Sequence, residues 1–390
     1  MIQLSSARDI GDATATALGA SAGGMLLAVD LDGTVLNTDT LFEALAELLR
    51  RRPFWTLWQM IQLPFAIAKV KARIQSEGRI DIGTLPVNEQ VLAYCRQSKA
   101  EGRPVWLVSA ADQGIVDKVA GHFGVFDRAV GSDGATNNKG SAKGAFLQKV
   151  APDGFEYVGD SRADLKVWLK AKSASLVGGG DGRARAVERM GVRIAHRFDR
   201  PKRGIGAWTK ALRPHQWIKN GLIFVPAIIA MQISDPSTFL TLLIALPLLC
   251  ALASGTYILN DLLDLHADRT HPSRRHGPFA SGRLKIWQGF VVAPALIIGG
   301  LVGGVLLSPP FAVTMVSYLA TKLAYSLTLK RISLAATLTL SLLYALRIAM
   351  GAVLAGVALS HWLVVASMLV VFSLSLATQQ AGAVWRKTSR

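Results

Sequence analysis

Hydrophobic positions follow two regimes along this chain. Before about Arg200, short apolar runs alternate with charged stretches; after Asn220, charge almost disappears from long apolar blocks. Residues 25–29 and 105–108 are short apolar runs ended by polar residues, which predict buried strands of a parallel sheet, and 156–160 reads as a third strand. Between the first two, roughly 40–103 reads as a helical cap. There Trp55, Trp58, Ile61 and Phe65 recur at spacings of three and four, one apolar helix face, with Pro64 marking a break. That face is expected first to pack inside the cap, and second to meet a membrane surface or cover a lipid-linked substrate.

The long blocks are membrane candidates, because a span takes ~20 apolar residues. Residues 239–259, 287–307, 311–327, 334–359 and 362–377 come within a few residues of that, and 221–233 is a shorter sixth. Basic connections at 200–219, 261–285, Lys330-Arg331 and Arg386-Lys387 alternate with nearly uncharged turns at 234–237, 308–310 and 360–361. All the basic connections therefore fall on one side, which the positive-inside rule makes cytoplasmic. The expectation is six helices in the cell's inner (plasma) membrane, with the N-terminal domain and the C-terminus in the cytoplasm.

Composition narrows this further. With 390 residues, 51% of them hydrophobic, the chain holds more than one domain and is too apolar for an ordinary soluble protein. The formal net charge of +17 points to anionic lipid headgroups and phosphorylated substrates rather than nucleic acid. Cys95 and Cys250 lie far apart and suggest neither a disulfide nor a metal site. Residues 1–24 are polar and rich in small residues, without the apolar core of a signal peptide, and read as a flexible tail. The boundaries are then a tail at 1–24, an α/β domain at 25–200 and an all-α membrane domain at 201–390.

The α/β part carries phosphate chemistry. Asp30 and Asp32 follow the first strand two residues apart, so both carboxylates leave its C-terminal end in the same direction, where open α/β sheets bind ligands. One can attack phosphorus while the other protonates the leaving oxygen. Ser109 ends the second strand with a hydroxyl suited to a phosphate oxygen. Lys143 lies near a helix start and would neutralise developing charge; Lys139 is a weaker candidate. Asp160 and Asp164 follow the third strand four apart, a spacing suited to Mg²⁺. In this order the motifs resemble those of the haloacid dehalogenase superfamily, and within it the phosphoserine-phosphatase-like phosphatases. The resemblance implies a doubly wound α/β fold, a phosphorylated small-molecule substrate, Asp30 as nucleophile and Asp32 as general acid/base. It implies phosphoryl binding by Ser109 and Lys143, and Mg²⁺ held by Asp30, Asp32, Asp160 and Asp164.

The membrane part carries a second acidic motif. Asp261, Asp264 and Asp268 fall at i, i+3 and i+7, expected on one face of one helix. Carboxylates at a membrane surface are costly unless neutralised, and Mg²⁺ bridging them to a phosphate is the usual remedy. Asn260, Arg269, Arg274 and Arg275 flank them, the arginines suited to phosphate oxygens. The segment from Asn260 to Asp268 resembles the first aspartate-rich motif of UbiA-type intramembrane prenyltransferases. Its continuation through Arg274-Arg275, Pro278 and Gly282 is similar to the polyprenyl-phosphate phosphoribosyltransferase branch. Gly277 departs from that branch, which usually has an arginine there. Upstream, Arg213-Pro214-His215-Gln216-Trp217-Ile218-Lys219-Asn220 resembles the opening motif of the same branch, implying substrate contacts at Lys219 and Asn220. Arg347 lies within an apolar span with no acid anywhere after Asp268, so a ligand phosphate or a backbone carbonyl is its expected partner.

The resemblances imply a membrane-bound bifunctional enzyme: a Mg²⁺-dependent phosphatase fused to a transferase acting on polyprenyl phosphate and phosphoribosyl pyrophosphate. One alternative is transfer of a prenyl group from a prenyl diphosphate to an aromatic acceptor. Another follows from the C-terminus. The superfamily usually has about nine helices and a second motif, so the sequence predicts a truncated, inactive membrane domain anchoring a working phosphatase.

Overall fold

The computed structural model describes residues 24–62, 67–132, 140–200 and 204–358, together with Trp362, Val365, Leu369, Phe372 and Ser373. The expected tail, Pro64, Phe65, Lys139 and nearly all of the expected span at 362–377, with the chain beyond it, lie outside these residues. The chain divides into two compact units. One comprises Met1–Arg203 with Leu265–Ile286, and the other Gly204–Asp264 with Trp287–Arg390.

The first unit is a doubly wound α/β domain. Its strands are β1 (Leu26–Val29), β2 (Val105–Asp112), β3 (Arg128–Ser132), β4 (Phe155–Gly159), β5 (Ser173–Val177) and β6 (Arg193–Phe198). They pair in parallel in the order β3-β2-β1-β4-β5-β6. The order reverses at β1, so the crevice beyond the C-terminal ends of β1 and β4 is the topological switch point where such sheets bind ligands. Helices α1 (Thr40–Arg51), α2 (Pro53–Gln62) and α3 (Ile67–Glu77) follow β1, and α4 (Glu89–Ala100) precedes β2. Next come α5 (Gln113–Phe123), α6 (Ser141–Val150), α7 (Leu165–Trp168) and α8 (Gly180–Arg189).

Strand alternation sorts the core into two layers. Leu27, Val29 and Leu107 face one way, packing with Val91, Leu92 and Cys95 of α4 and Ile115, Val116 and Val119 of α5. Leu26, Ala28, Trp106 and Val108 face the other, against Leu147, Trp168, Ala184 and Val187. Because α4 packs under the sheet, the cap is shorter than the expected 40–103 and consists of α1–α3. Its middle helix is also turned the opposite way from the first expectation. In α2 the buried side chains are Thr56 and Gln59, while Phe54, Leu57, Trp58 and Ile61 are exposed.

The second unit is helical: α9 (Ile205–Leu212), α10 (Val225–Ile229) and α11 (Pro236–Leu263). The chain then forms α12 (Leu265–Thr270), which belongs to the first unit, before α13 (Ile286–Leu307), α14 (Pro309–Leu327) and α15 (Ser333–Ala355). Among the described residues three helices are long and apolar enough to span a bilayer: Pro236–Leu263, Ile286–Leu307 and Leu334–Ala355. The expected span at 311–327 lies in α14, which carries Thr314, Ser317, Thr321 and Lys322 and is not among those three. The expected short span at 221–233 is no single helix. A 3₁₀ segment, Pro214–Phe224, runs into the five-residue α10, and Pro226 at the second position of α10 cannot donate a backbone hydrogen bond. The core of the unit joins Ile223, Leu249, Leu252, Phe311, Met315, Tyr318 and Met350.

Candidate functional sites

In the α/β unit, Asp30 follows β1 directly and its backbone N–H donates to the Val158 carbonyl of β4 at 3.0 Å. This fixes the two strand ends side by side. Gly33 turns the chain back with φ +77°, and a Cβ there would lie 2.6 Å from the Asp160 carboxylate, so only glycine fits. Asp30, Asp160 and Asp164 each offer an oxygen lying within 4.8 Å of the others, and all three residues are buried. Lys143 reaches in from α6, with Nζ 2.8 Å from Asp30 Oδ1 and 2.9 Å from the Tyr157 hydroxyl. That hydroxyl donates to Asp164 Oδ1 at 3.0 Å, and Asp164 Oδ2 accepts from the backbone N–H groups of Asp160 and Ser161 and the Ser161 hydroxyl. Arg200, arriving just after β6, donates to Asp160 and to the Gly33 carbonyl.

Electrostatics follow from crowding. Burial is the largest influence on Asp30, raising it to about 7 against the opposing pull of Lys143, with Asp164 and Asp160 adding to the rise. Three buried acids sharing so few cations form a site whose charge a divalent ion would complete, and the oxygen-only donor set suits Mg²⁺. Asp32 stands apart from this carboxylate group, which corrects its placement among the side-chain metal ligands. Its oxygens instead accept from the Thr40 N–H at 2.8 Å and the Thr40 hydroxyl at 3.2 Å. Burial, then the nearby Asp39, push its carboxyl well above the usual range, which keeps a proton available for donation. Ser109 is buried at the end of the apolar part of β2, where its Oγ accepts from the Ala111 N–H at 3.1 Å. Tyr157, Thr40 and Arg200 were not found from sequence. Tyr157 left one usable signal: it precedes Gly159 by two in the strand, so its ring shares the face toward Trp168 and Lys143.

The same unit claims the segment after the second acidic motif. Arg269 forms a two-pronged ion pair with Glu43 of α1, at 2.9 and 2.6 Å, and its Nε donates to the Ala280 carbonyl. Both side chains are about 5% exposed. Gly282, at φ +71°, lies so close to Asn37 that a Cβ would come within 2.6 Å of its carbonyl oxygen. The expected substrate arginine is therefore a clasp within this unit. Arg274 pairs with Asp268 at 3.0 Å, and Arg275, exposed, donates to His276.

In the membrane unit Asp261 lies in the last turn of α11, and the helix ends at Leu263 with Asp264 as its C-cap. Asp268 sits on the separate α12, so the expected single helix face through all three acids is broken after Leu263. Asp261 and Asp264 each have a cation: Arg213 lies 2.6 Å from Asp261 Oδ1, and Lys330 Nζ lies 2.5 Å from Asp264 Oδ1. One turn back, Tyr257 has Arg213 and Lys322 over its ring at 5.4 and 5.2 Å. The opening motif is tied to α11 by Trp217, whose indole donates to the Ser254 hydroxyl, which in turn donates to the Leu212 carbonyl. Lys219 is half-buried beside it, and Asn260 is half-buried on α11.

Arg347 is buried, and its partners are neutral. Nε donates to Asn220 Oδ1, NH2 to the Tyr318 hydroxyl, both at 2.9 Å, and NH1 to the Leu343 carbonyl at 2.8 Å. Tyr318 and Tyr344 present ring faces to the guanidinium at 5.0 and 5.4 Å. The backbone carbonyl was expected; the amide, the phenol and the two rings were not. A guanidinium is satisfied by neutral acceptors and π faces as well as by charge.

Comparison with known proteins finds a family match in the C-terminal part of the chain. Residues 223–388 match the UbiA prenyltransferase family. An uncharacterized protein, y4nM, of Sinorhizobium fredii is 37% identical over 92% of this chain and 69% of its own length. The decaprenyl-phosphate phosphoribosyltransferase of Mycobacterium tuberculosis is 33% identical over 42% of this chain and 55% of its own length. The chain thus spans about half of that enzyme. A substrate-bound phosphoserine phosphatase complex aligns with 44% of this chain and 92% of its own, at 18% identity and a TM-score of 0.31. The C-terminal part of the chain, residues 223–388, is thus a domain of the UbiA prenyltransferase family.

Proposed function

We propose that this protein is a bifunctional membrane enzyme, a Mg²⁺-dependent phosphomonoesterase fused to a phosphoribosyl transferase acting on polyprenyl phosphate. The observation that carries the phosphatase half is the convergence of Asp30, Asp160, Asp164 and Lys143 at the switch point of the sheet. Asp30 attacks phosphorus to form an aspartyl phosphate, and the bond to the leaving oxygen breaks as Asp32 donates its proton there. Asp32, now ionised, takes a proton from water, whose oxygen attacks phosphorus, releasing phosphate and freeing Asp30. Thr40 holds Asp32 in position, Ser109 binds a phosphoryl oxygen, and Lys143 offsets the added negative charge. Mg²⁺ held by Asp30, Asp160 and Asp164 would supply further charge stabilisation of the phosphoryl oxygens.

In the membrane half the reading rests on similarity to the phosphoribosyltransferase and on the two tied motifs. A phosphate oxygen of the polyprenyl phosphate attacks the anomeric carbon of phosphoribosyl pyrophosphate, and pyrophosphate leaves with the bonding pair. Asp261 and Asp264 are the Mg²⁺ candidates here, and Arg213, Lys330, Lys322 and Lys219 supply positive charge for the pyrophosphate. Arg347 acts through Asn220, holding the opening motif in place. The lipid-linked product retains a 5-phosphate, a phosphomonoester of the class the first unit would hydrolyse. By the charge of its connections, the chain would lie in the inner membrane with both sites open to the cytoplasm.

The test uses purified full-length protein in detergent. Phosphate release from a generic phosphomonoester should need Mg²⁺ and should be lost in Asp30→Asn. Mg²⁺-dependent binding of phosphoribosyl pyrophosphate, measured by calorimetry, should be lost in Asp261→Ala and retained in Asp30→Asn. Activity in Asp30→Asn equal to the parent removes the first assignment; equal affinity in parent and Asp261→Ala removes the second.

A further inference from the structure

Helix α2 is amphipathic in the wrong sense for a soluble cap. Its polar Thr56 and Gln59 are buried, while Phe54, Leu57, Trp58 and Ile61 are 86%, 49%, 58% and 64% exposed. These four lie at positions i, i+3, i+4 and i+7, so they form one continuous stripe. An aromatic and aliphatic stripe of this kind left to water is costly, at about 25 cal/mol per Å² of apolar surface, and it marks a surface that something covers.

Charge narrows the identity of the cover. Between residues 50 and 80 the chain has seven basic residues and one acid, Glu77. Arg51 and Arg52 are engaged with Glu47 and Glu77. Arg50, Lys71, Arg73 and Arg79 are exposed on or beside the helices flanking α2. An apolar stripe on a helix whose neighbours in sequence carry exposed arginine and lysine matches an anionic bilayer surface, where rings enter the interface and cations meet the headgroups.

Position points the same way. Helix α1, the packing neighbour of α2, is gripped through Glu43 by Arg269. Arg269 belongs to a segment, Leu265–Ile286, bounded on each side by a helix long enough to span a bilayer. The clasp therefore ties the cap to a segment joined in sequence, at both ends, to those helices. We propose that Phe54, Leu57, Trp58 and Ile61 form an interfacial anchor that inserts into the anionic leaflet, seating the cap on lipid. The inference is independent of either proposed chemistry.

The experiment uses the full chain in nanodiscs of mixed phosphatidylglycerol and phosphatidylcholine. Spin labels are attached at Phe54→Cys, Trp58→Cys, Ile61→Cys and, as an aqueous reference, Asp181→Cys; native Cys95 and Cys250 are buried. Collision with oxygen, which partitions into lipid, is compared with collision with a water-soluble nickel chelate. The expected result is oxygen preference at the three cap sites and chelate preference at Asp181→Cys. Lowering the phosphatidylglycerol fraction should weaken the oxygen preference at the cap alone. Chelate preference at the cap sites overturns the proposal. So does low access to both reagents, which means that protein covers the face. Spin–spin broadening that disappears on dilution with unlabelled protein means that a second copy covers it, and overturns it too.

Discussion

The two acidic clusters of this chain look alike in sequence and are built on different principles. Around Asp30, three carboxylates converge, Lys143 is shared between Asp30 and the Tyr157 hydroxyl, and Arg200 serves Asp160. At the end of α11, Asp261 and Asp264 point to separate cations, Arg213 and Lys330. The first arrangement stores unrelieved negative charge at one point; the second dissipates it pair by pair. A carboxylate motif thus says little by itself about what it holds. The ratio of acids to cations around it, set by distant parts of the chain, says more.

The sharpest way to break this contrast is at the nucleophile. Asp30→Asn should lower phosphomonoester hydrolysis by several orders of magnitude, since it removes the covalent step. A steady-state assay showing less than a tenfold loss would place the chemistry elsewhere. Lys143→Met comes next. Loss of the side-chain cation paired with Asp30 should cost about 100-fold in kcat, in the range seen when a single charge-stabilising donor is removed. An unchanged kcat would mean that Lys143 is structural.

Stability offers a third, smaller effect. Asp30 is raised in the folded state from 3.8 to about 7, so the folded protein binds more protons than the unfolded chain in that interval. Stability contributed by this group is therefore present below the unfolded value and falls as pH rises toward about 7. Adding Mg²⁺ should reverse the penalty, so the rise in Tm it causes should grow between about pH 5 and pH 7. Scanning calorimetry showing the same increment at both would argue against binding at these carboxylates. The smallest effect is expected at the paired cluster. Lys330→Met leaves Asp264 without its cation and should cost about 1–2 kcal/mol, moderated by the partial exposure of Lys330. Adding Asp264→Asn should recover much of that loss in a double-mutant cycle followed by thermal unfolding in detergent.

Local signals carried much of this fold. Strands β1, β2 and β4 and their terminal acids were legible because an apolar run between polar residues has few ways to fold. The acids were legible because they follow such runs closely, and Lys143 because it lies near a helix start. Arg200 and Thr40 were not, since neither belongs to a pattern; what brings them to Asp160 and Asp32 is the closure of the sheet. Direction was misread where hydrophobicity alone was used. Trp58 and Ile61 read first as cap core and second as a membrane-facing or lipid-covering surface, and it is Thr56 and Gln59 of the same helix that took the inside. The break after Leu263 was likewise invisible, because Asp264 can continue a helix as well as end one. For Arg347 the expected backbone carbonyl is that of Leu343, while the Asn220 amide and the Tyr318 phenol come from distant parts of the chain and left no local pattern.

The clasp between Glu43 and Arg269 also sets an order of events during synthesis. The α/β unit takes its last piece from a segment that lies beyond α11 in the chain. When the ribosome has finished β6, the buried acid of α1 still lacks its guanidinium. A membrane helix must be made and handed to the insertion machinery before Arg269 emerges. At about 5–20 residues per second that interval lasts on the order of several seconds. The α/β unit is thus complete only after α11 has been synthesised.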